Sequence, residues 1–166
     1  QVAFDILGMV VGNAVMGKPE DDHGDSLDSF AADLPEDVIL EHLRNPLADP
    51  LRLLGQATSR LVYDLFAYQR TQGSADPQPS AIYTIVRETH NADLLATEQT
   101  KVQHSFSYSD GFGRVIQKKI QAEPKKENGE QSLARWVGSG WTVFNNKGKP
   151  VHQYEPFFSA PENTAH

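Results

Sequence analysis

The chain contains no cysteine in its 166 residues. This absence excludes a disulfide framework, thiolate catalysis and cysteine-based zinc sites. Long apolar runs are also missing, since no stretch approaches the roughly 18 residues that span a bilayer. The first residues lack the charged start of a secretory leader. We therefore expect no membrane contact by this segment.

Positive charge is scarce. Fifteen Lys and Arg residues stand against 22 Asp and Glu residues, giving a formal net charge of −7 at pH 7. Non-specific nucleic-acid binding needs clustered Lys and Arg opposite the phosphates, and the basic clusters are only Lys118-Lys119 and Lys125-Lys126. The sequence therefore predicts no nucleic-acid partner.

The length and the hydrophobic content of 39% suit one compact unit with a single core. The chain begins with Gln1 inside strand-like alternation, so we expect 1–166 to be a single domain or a fragment of a longer polypeptide. A natural unit and an excised piece would look the same at this level.

Three places share a spacing that is typical of a β-hairpin turn. In each, an Asp or Asn precedes a Gly by three positions: Asp5 and Gly8, Asp110 and Gly113, Asn145 and Gly148. The short polar side chain can accept hydrogen bonds from the following backbone, and Gly can take the positive φ that closes the turn. A fourth copy around Asp64 lacks the Gly, which predicts a longer or distorted turn.

The remaining pattern predicts a mainly β (α+β) fold with two short helices inserted. His104 to Tyr108 alternates aromatic and serine residues, as a half-buried strand does. Asp33 before Glu36 is typical of a helix N-cap, and Asp49-Pro50 begins a second helix by the same logic. The predicted segments are a hairpin at 1–17, a helical insertion at 26–60, and hairpins at 61–90, 102–123 and 135–158.

At these residues the sequence resembles a known family. Asp110 to Val115 matches the YD repeat of RHS/YD proteins, in which an Arg, here Arg114, follows the glycine. More specifically, the chain resembles the region after the propeller in the B component of bacterial insecticidal toxin complexes (the TcaC/TcdB class, related to SpvB). The stretches that carry the resemblance are FDILGMVVGNAVMGK, GDSLDSF, RLVYDLF, YTIVRETH, QTKVQHSFSYSDGFGRVIQKKIQAEP and RWVGSGWTVFNNKGKPVHQYEPFFSA.

The resemblance implies antiparallel hairpin strips of RHS/YD type. In that family the B and C components form a hollow β-sheet shell around the toxic C-terminal enzyme of the C component. It implies that this chain is a structural, non-enzymatic segment of a secreted toxin and virulence protein. Its partners would then be the rest of the B component and the C component. The chain departs from the pattern at Asp64, which lacks the Gly and Arg, and at Lys149, which stands where Arg is expected.

An alternative is a carbohydrate- or protein-binding module on the same toxin. Trp136, Trp141 and Tyr154, with Phe157 and Phe158 nearby, could supply an aromatic contact surface, although core positions are the more ordinary use of such residues. An excised piece of a sheet wall also exposes edges, so we expect self-association through edge strands.

The sequence predicts no catalytic residue, metal or cofactor. The six histidines lack metal-ligand spacing and are interpreted as surface or singly bonded. The acidic run 20–28 does not follow the order of an EF-hand, so a solvated loop is favoured over a Ca²⁺ site. Gly138-Ser139-Gly140 lacks the context of a nucleophilic serine. The Glu-x-Glu signature of the ADP-ribosyltransferase that SpvB-type proteins carry is absent, since Glu127 and Glu130 are three apart.

Overall fold

The structure is a computed structural model that describes residues 1–17, 24–124, 126–127, 130–131 and 135–159. Most regular elements in these ranges are strands, and the helices are short. The prediction of a mainly β fold with few helices is confirmed. The four residues in 126–127 and 130–131 form a small two-stranded ladder, β7 with β8.

The strands are β1 Val2–Phe4, β2 Val10–Asn13, β3 Ser59–Asp64, β4 Ser80–Arg87, β5 Val102–Ser109, β6 Val115–Ala122, β7 Lys126–Glu127, β8 Glu130–Gln131, β9 Arg135–Gly138, β10 Thr142–Phe144, β11 Pro150–Gln153 and β12 Phe157–Ser159. The helices are α1 Glu36–Arg44, α2 Pro50–Leu54 and α3 Ala67–Thr71, with a 3₁₀ turn at Asn91–Asp93.

The chain divides into two compact units. The first unit comprises residues 1–62 and 84–104, and its strands follow the hydrogen-bonded order β1-β2-β3-β4-β5. The second unit comprises residues 63–83 and the chain from Ser105 onward, with the order β3-β4-β5-β6-β9-β12 and a separate β10-β11 pair. Strands β3, β4 and β5 each have one part of their length in the first unit and the other part in the second.

In the first unit, helices α1 and α2 bury one face. Leu43 of α1 and Leu53 and Leu54 of α2 are buried, together with Val11 and Ile85 from the strands. The Asp49 side chain accepts a hydrogen bond from the backbone N–H of Arg52 at 3.3 Å, which caps α2 as predicted.

The predicted cap of α1 is wrong. Pro35 occupies the N-cap position and makes no side-chain cap. The Asp33 carboxylate instead accepts from the backbone N–H of Ile6 at 2.9 Å. A short acidic side chain can accept from a backbone N–H outside the helix, and here its partner belongs to the β1–β2 turn.

The second unit is built around aromatic rings. Tyr83 from β4 lies 4.8 Å from Phe106 of β5 between ring centroids. Phe106 also packs against Trp136 of β9 at 5.4 Å and against Tyr108 at 5.9 Å. These rings occupy alternate positions along their strands, so the period-2 pattern of the sequence places them on one buried face.

Helix α3 follows β3 where the sequence predicted a longer or distorted turn. The chain leaves the strand at Asp64, forms one and a half helical turns, and returns to β4 at Ser80. Among the described residues no helix is long and apolar enough to cross a membrane.

Candidate functional site: three matching hairpin turns and their surroundings

The turn at Asp5 shows how one side chain organises a tight hairpin. Its Oδ1 accepts from the backbone N–H groups of Leu7 at 3.0 Å and of Met9 at 2.8 Å. The Asp5 N–H donates to the Met9 carbonyl at 3.0 Å, and the Gly8 N–H donates to the Asp5 carbonyl at 3.0 Å. Gly8 has φ of +79°, which an L-residue rarely adopts.

The turns at Asp110 and Asn145 repeat this geometry. Asp110 Oδ1 accepts from the N–H groups two and four positions later at 2.9 and 3.0 Å, and Asn145 Oδ1 does the same at 2.9 and 3.0 Å. Gly113 and Gly148 both have φ of +74°. Asn substitutes for Asp here because the turn uses a carbonyl-type acceptor and not a charge.

Each of the three hairpins also carries a register shift just before the turn. The shift falls between Ala3 and Phe4, between Tyr108 and Ser109, and between Val143 and Phe144. A bulge next to a Gly of positive φ adds twist to the ribbon. The same arrangement, a bulged hairpin whose turn is braced by an Asp or Asn side chain (an Asx-braced turn), therefore occurs three times within the described residues.

In the second unit, Arg114 joins two of these turns. Its Nε donates to Asp110 Oδ2 at 2.7 Å within its own turn. Its guanidinium carbon also lies 5.1 Å from the ring centroid of Phe112 and 4.6 Å from that of Phe144, the residue before Asn145. A cation over an aromatic face is attractive, so Arg114 links the tips of neighbouring hairpins.

Electrostatics reinforce this link. Slight burial acts to raise the pKa of Asp110, but hydrogen bonds from the side chain and backbone of Arg114 and from the backbone of Phe112 outweigh it and lower the pKa. The carboxylate therefore stays charged opposite the guanidinium at neutral pH. Lys149, at the position equivalent to Arg114 in the last turn, has no described aromatic partner of this kind.

Asp64 behaves differently from the other motif residues. It is buried, and its carboxylate pairs with the Arg70 guanidinium of α3 at 2.5 Å. The Ser80 hydroxyl donates to the Leu65 carbonyl at 3.0 Å and so joins the two ends of the segment that connects β3 to β4. Without a Gly at the third position, the segment forms a helix held by an ion pair in place of a tight turn.

The aromatic residues proposed as a binding surface separate into two kinds. Trp136 is 0% exposed and lies in the core of the second unit. Trp141 and Tyr154 are 37% and 56% exposed, and the Tyr154 N–H donates to the Trp141 carbonyl at 2.8 Å. Phe158 is exposed beneath the Arg135 guanidinium, whose carbon lies 4.4 Å from the ring centroid. Trp136 therefore cannot belong to an exposed platform.

A buried polar centre that the sequence did not predict surrounds Asp25. Its carboxylate accepts from the Asn91 N–H at 2.7 Å, meets His90 Nδ1 at 2.9 Å and is hydrogen-bonded by the Thr58 hydroxyl. Arg87 Nε lies 3.6 Å away. Burial acts to raise the pKa of Asp25, and these partners together hold it below its ordinary value. The expectation of a solvated loop is wrong at Asp25; residues 20–23 of the acidic run lie outside the described residues.

The structure places two of the histidines in the interior, where the interpretation as surface side chains does not apply. His42 and His104 are buried, and burial with the neighbouring His42 lowers the pKa of His104 to about 4. The described histidines and carboxylates include no group of three or more that could hold a metal ion. His23 and His166 lie outside the described residues. Ser139 Oγ accepts from the Lys118 N–H at 3.0 Å and donates to the Gly140 carbonyl at 3.1 Å, a structural arrangement.

Comparison with known proteins bears on the fold. No protein-family model matches the chain, and no curated protein matches it. A chain in the crystal structure of TcdB2–TccC3 is similar over 95% of this chain, with a TM-score of 0.60 and 22% sequence identity. The fold of this chain is similar to that of the matching segment of TcdB2–TccC3. The chain spans 7% of the length of that larger chain, and at 22% identity the likeness concerns the fold alone.

Proposed function

We propose that this chain is a structural segment of the B component of a secreted bacterial toxin complex. In this role it contributes hairpin strips to a β-sheet shell of RHS/YD type that encloses the toxic C-terminal enzyme of the C component. The observation that carries the proposal is the recurrence of one bulged, Asx-braced hairpin at Asp5, Asp110 and Asn145. Side-by-side hairpins satisfy one another's strand edges and build a wall without catalytic groups.

The contacts of Arg114 support this role. Neighbouring hairpins in a wall must keep their register, since a slip of one residue turns every side chain to the opposite face. Arg114 is bound to its own turn through Asp110 and lies 4.6 Å over the Phe144 ring of the next hairpin. A cation that is hydrogen-bonded to one turn and stacks on an aromatic ring beside the next turn keeps the two hairpin tips aligned.

The proposal places no catalysis, cofactor or nucleic-acid contact in this segment. Its described titratable clusters serve internal hydrogen bonding: Asp25 binds Thr58, His90 and Asn91, and Asp64 binds Arg70. A catalytic acid or base must be within reach of a substrate proton. These carboxylates are buried among protein donors instead.

The shell role is tested by opening the turns in the intact parent protein co-expressed with its C component. We expect Gly113→Val together with Gly148→Val to leave the complex assembled while the enclosed cargo becomes digestible by protease. The physical reason is the positive φ of +74° at both glycines, which costs an L-residue on the order of 1–2 kcal/mol per site.

Gly111→Val is the matched control. Gly111 lies in the same turn, does not have a positive φ, and leaves open space within 4 Å of the position that a Cβ would take. The substitution adds the same side chain without the backbone strain, so cargo protection should persist. Protected cargo in the double variant, together with reduced cell binding or toxicity, would replace the shell proposal with the binding module.

The binding module is kept as the second candidate because Trp141 and Tyr154 remain partly exposed and adjacent. Aromatic rings of this kind supply contact area at low entropic cost. Trp141→Ala and Tyr154→Ala in a glycan array and in a C-component pull-down separate the two functions. Loss of capture with intact cargo protection would favour the module.

Self-association through sheet edges is a further expectation. Among the described strands, β1 and β12 end their sheet, and Phe4 and Phe158 on them are exposed. An apolar end strand with unpaired backbone groups is a template for pairing with another chain. We expect light scattering of the isolated chain at high concentration to report dimers or larger species, and Phe4→Lys with Phe158→Lys to shift them to monomer.

Phe112→Lys is the control for this shift. Phe112 is 86% exposed but lies at a hairpin tip, away from any strand edge. Its replacement exchanges one exposed aromatic ring for one Lys, as each of the two edge substitutions does by itself. A clean monomer for the unaltered chain, or equal relief by Phe112→Lys, would contradict pairing through the edges.

A further inference from the structure

The hairpins β1–β2 and β10–β11 correspond position by position at their tips. Phe4 precedes Asp5 and Phe144 precedes Asn145, and each Phe directly follows the register shift of its own hairpin. A neighbouring hairpin covers Phe144, since the Arg114 guanidinium carbon lies 4.6 Å from its ring centroid. No cation lies over Phe4 within the described part of the chain, and Phe4 is 57% exposed. The first hairpin therefore offers an open aromatic face at the position where the third hairpin holds a guanidinium.

The carboxylates of the first turn also lack a cation. In the second hairpin Arg114 serves its own turn, but Met9 stands at the equivalent position after Asp5. Asp33 accepts from the Ile6 N–H at 2.9 Å and so brings a second carboxylate to the same turn. Among the described residues, no Lys or Arg lies within ion-pair distance of either carboxylate. Two carboxylates next to an uncovered aromatic ring favour a cation as the neighbour.

The backbone of β1 has an open edge as well. Gln1 and Ala14 exchange both of their backbone hydrogen bonds, at 2.8 and 3.0 Å. Hydrogen-bonded pairs alternate with non-bonded pairs in an antiparallel ladder, so the N–H and C=O groups of Val2 point away from β2. Of the described strands, β1 is an end strand of its sheet. A further strand can therefore pair with β1 beside the Phe4 ring.

We propose that β1 and the Phe4 ring bind a second Asx-braced hairpin of the parent protein, which lays a guanidinium over Phe4. This inference rests on the proposed shell role, because a wall of side-by-side hairpins supplies such a neighbour. The neighbour carries an Arg four positions after its Asp or Asn, as Arg114 follows Asp110. Its returning strand begins at that Arg and pairs with β1, just as β6 begins directly after Arg114.

Other occupants fit this edge less well. A purely apolar strand would bury the Asp5 and Asp33 carboxylates without a counter-charge, which is costly. In a second copy of this chain, Arg114 is already engaged by Asp110 and by the Phe144 ring. A second copy would then have to offer Lys149, whose compact ammonium does not stack flat on a ring as a guanidinium does.

Photocrosslinking in the intact parent protein, co-expressed with its C component, identifies the neighbour. Phe4 is replaced by p-benzoylphenylalanine, which on irradiation bonds to carbon–hydrogen groups that lie against it. Peptide mass spectrometry should place the adduct at or beside an Arg that follows an Asx-x-x-Gly turn outside residues 1–166. The same replacement at Ile6 is the matched control. Ile6 is 88% exposed at the tip of the same turn, beyond the end of β1, so it should give several-fold fewer adducts on that strand.

Hydrogen exchange of the β1 peptide in the parent protein tests the contact between the cation and the ring. Phe4→Leu keeps an apolar side chain but removes the aromatic face, so the β1 amides should exchange about two- to five-fold faster. Phe4→Tyr retains the ring and should leave the exchange unchanged. Replacing the cross-linked Arg with Gln should give the same acceleration as Phe4→Leu, and the two changes together should add nothing further.

Several outcomes would overturn the proposal. An adduct in a segment without an Asx-x-x-Gly-Arg turn would mean that a different partner covers Phe4, and an adduct joining two copies would make β1 a self-association surface. No adduct, with β1 exchanging as fast in the parent as in the isolated chain, would mean that the edge stays uncovered. Equal exchange in Phe4→Leu and Phe4→Tyr would remove the cation from the contact. The shell role fails separately, because the cross-link identifies the neighbour of Phe4 whether or not the cargo is enclosed.

Discussion

Replacing Asp25 with Ala is expected to lower the free energy of unfolding by about 3–5 kcal/mol, the usual result of removing one partner of a buried ion pair. The carboxylate is 3% exposed and serves Thr58, His90 and Asn91. Its loss would leave the buried Arg87 guanidinium, whose Nε lies 3.6 Å away, without its carboxylate partner. Urea denaturation followed by far-ultraviolet circular dichroism measures the change.

Asp28→Ala is the matched control for this effect. Asp28 belongs to the same acidic run but is exposed, so its removal should change the stability by no more than about 0.5 kcal/mol. Equal losses for the two variants would show that the acidic run acts through its total charge and not through the buried centre. An unchanged stability in Asp25→Ala would contradict the buried ion pair directly.

The same centre predicts a pH dependence whose sign follows from the depressed pKa of Asp25. A carboxylate with a lower pKa in the folded than in the unfolded protein stabilises the fold above its ordinary value of 3.8. That stabilisation is lost as the pH falls below this value and the folded-state carboxylate takes up its proton. Asp25→Asn should therefore flatten the acid limb of the stability curve.

Replacing Trp136 with Ala is expected to cost about 3–5 kcal/mol, the range for truncating a large core aromatic. Trp136 is 0% exposed, and its ring lies 5.4 Å from that of Phe106 between centroids. The cavity left behind would also loosen Phe106, whose ring contacts that of Tyr83 at 4.8 Å between centroids. Thermal and urea unfolding of the variant measure the loss.

Trp141→Ala is the comparison that gives this result its functional meaning. Trp141 lies five positions later and is 37% exposed, so its truncation should cost far less stability. If Trp136→Ala abolished partner capture without unfolding, Trp136 would have to reach a surface, which would contradict its place in the core. If both variants lost little stability, the result would contradict the place of Trp136 in the aromatic core of the second unit.

These two residues change how the binding alternative should be tested. A pull-down with a Trp136 variant would report the loss of folding rather than the loss of a contact, because Trp136 lies in the core. The exposed aromatic residues described in this region include Trp141, Tyr154 and Phe158. A binding surface, if this segment has one, must be sought there or along the apolar edge strands.

The hairpin turns could be predicted from the sequence because their geometry is made within five residues. An acceptor side chain at Asp110, two following N–H groups and Gly113 complete the turn without help from distant residues. The segment after Asp64 could be predicted as a longer or distorted turn, but the sequence pattern did not predict that it contains helix α3. That helix depends on the ion pair between Asp64 and Arg70 and on a return strand that begins at Ser80.

By itself the sequence determined where the chain turns, which strands alternate, and that β-structure dominates, since these follow from local sterics and hydrophobic period. Only the tertiary structure decided which charges are buried. Asp25 meets the N–H of Asn91 across 66 positions, and Arg60 meets the carbonyl of Ala31 across 29. A charged side chain far along the chain looks solvated until folding removes its water, and folding alone decides which partner replaces it.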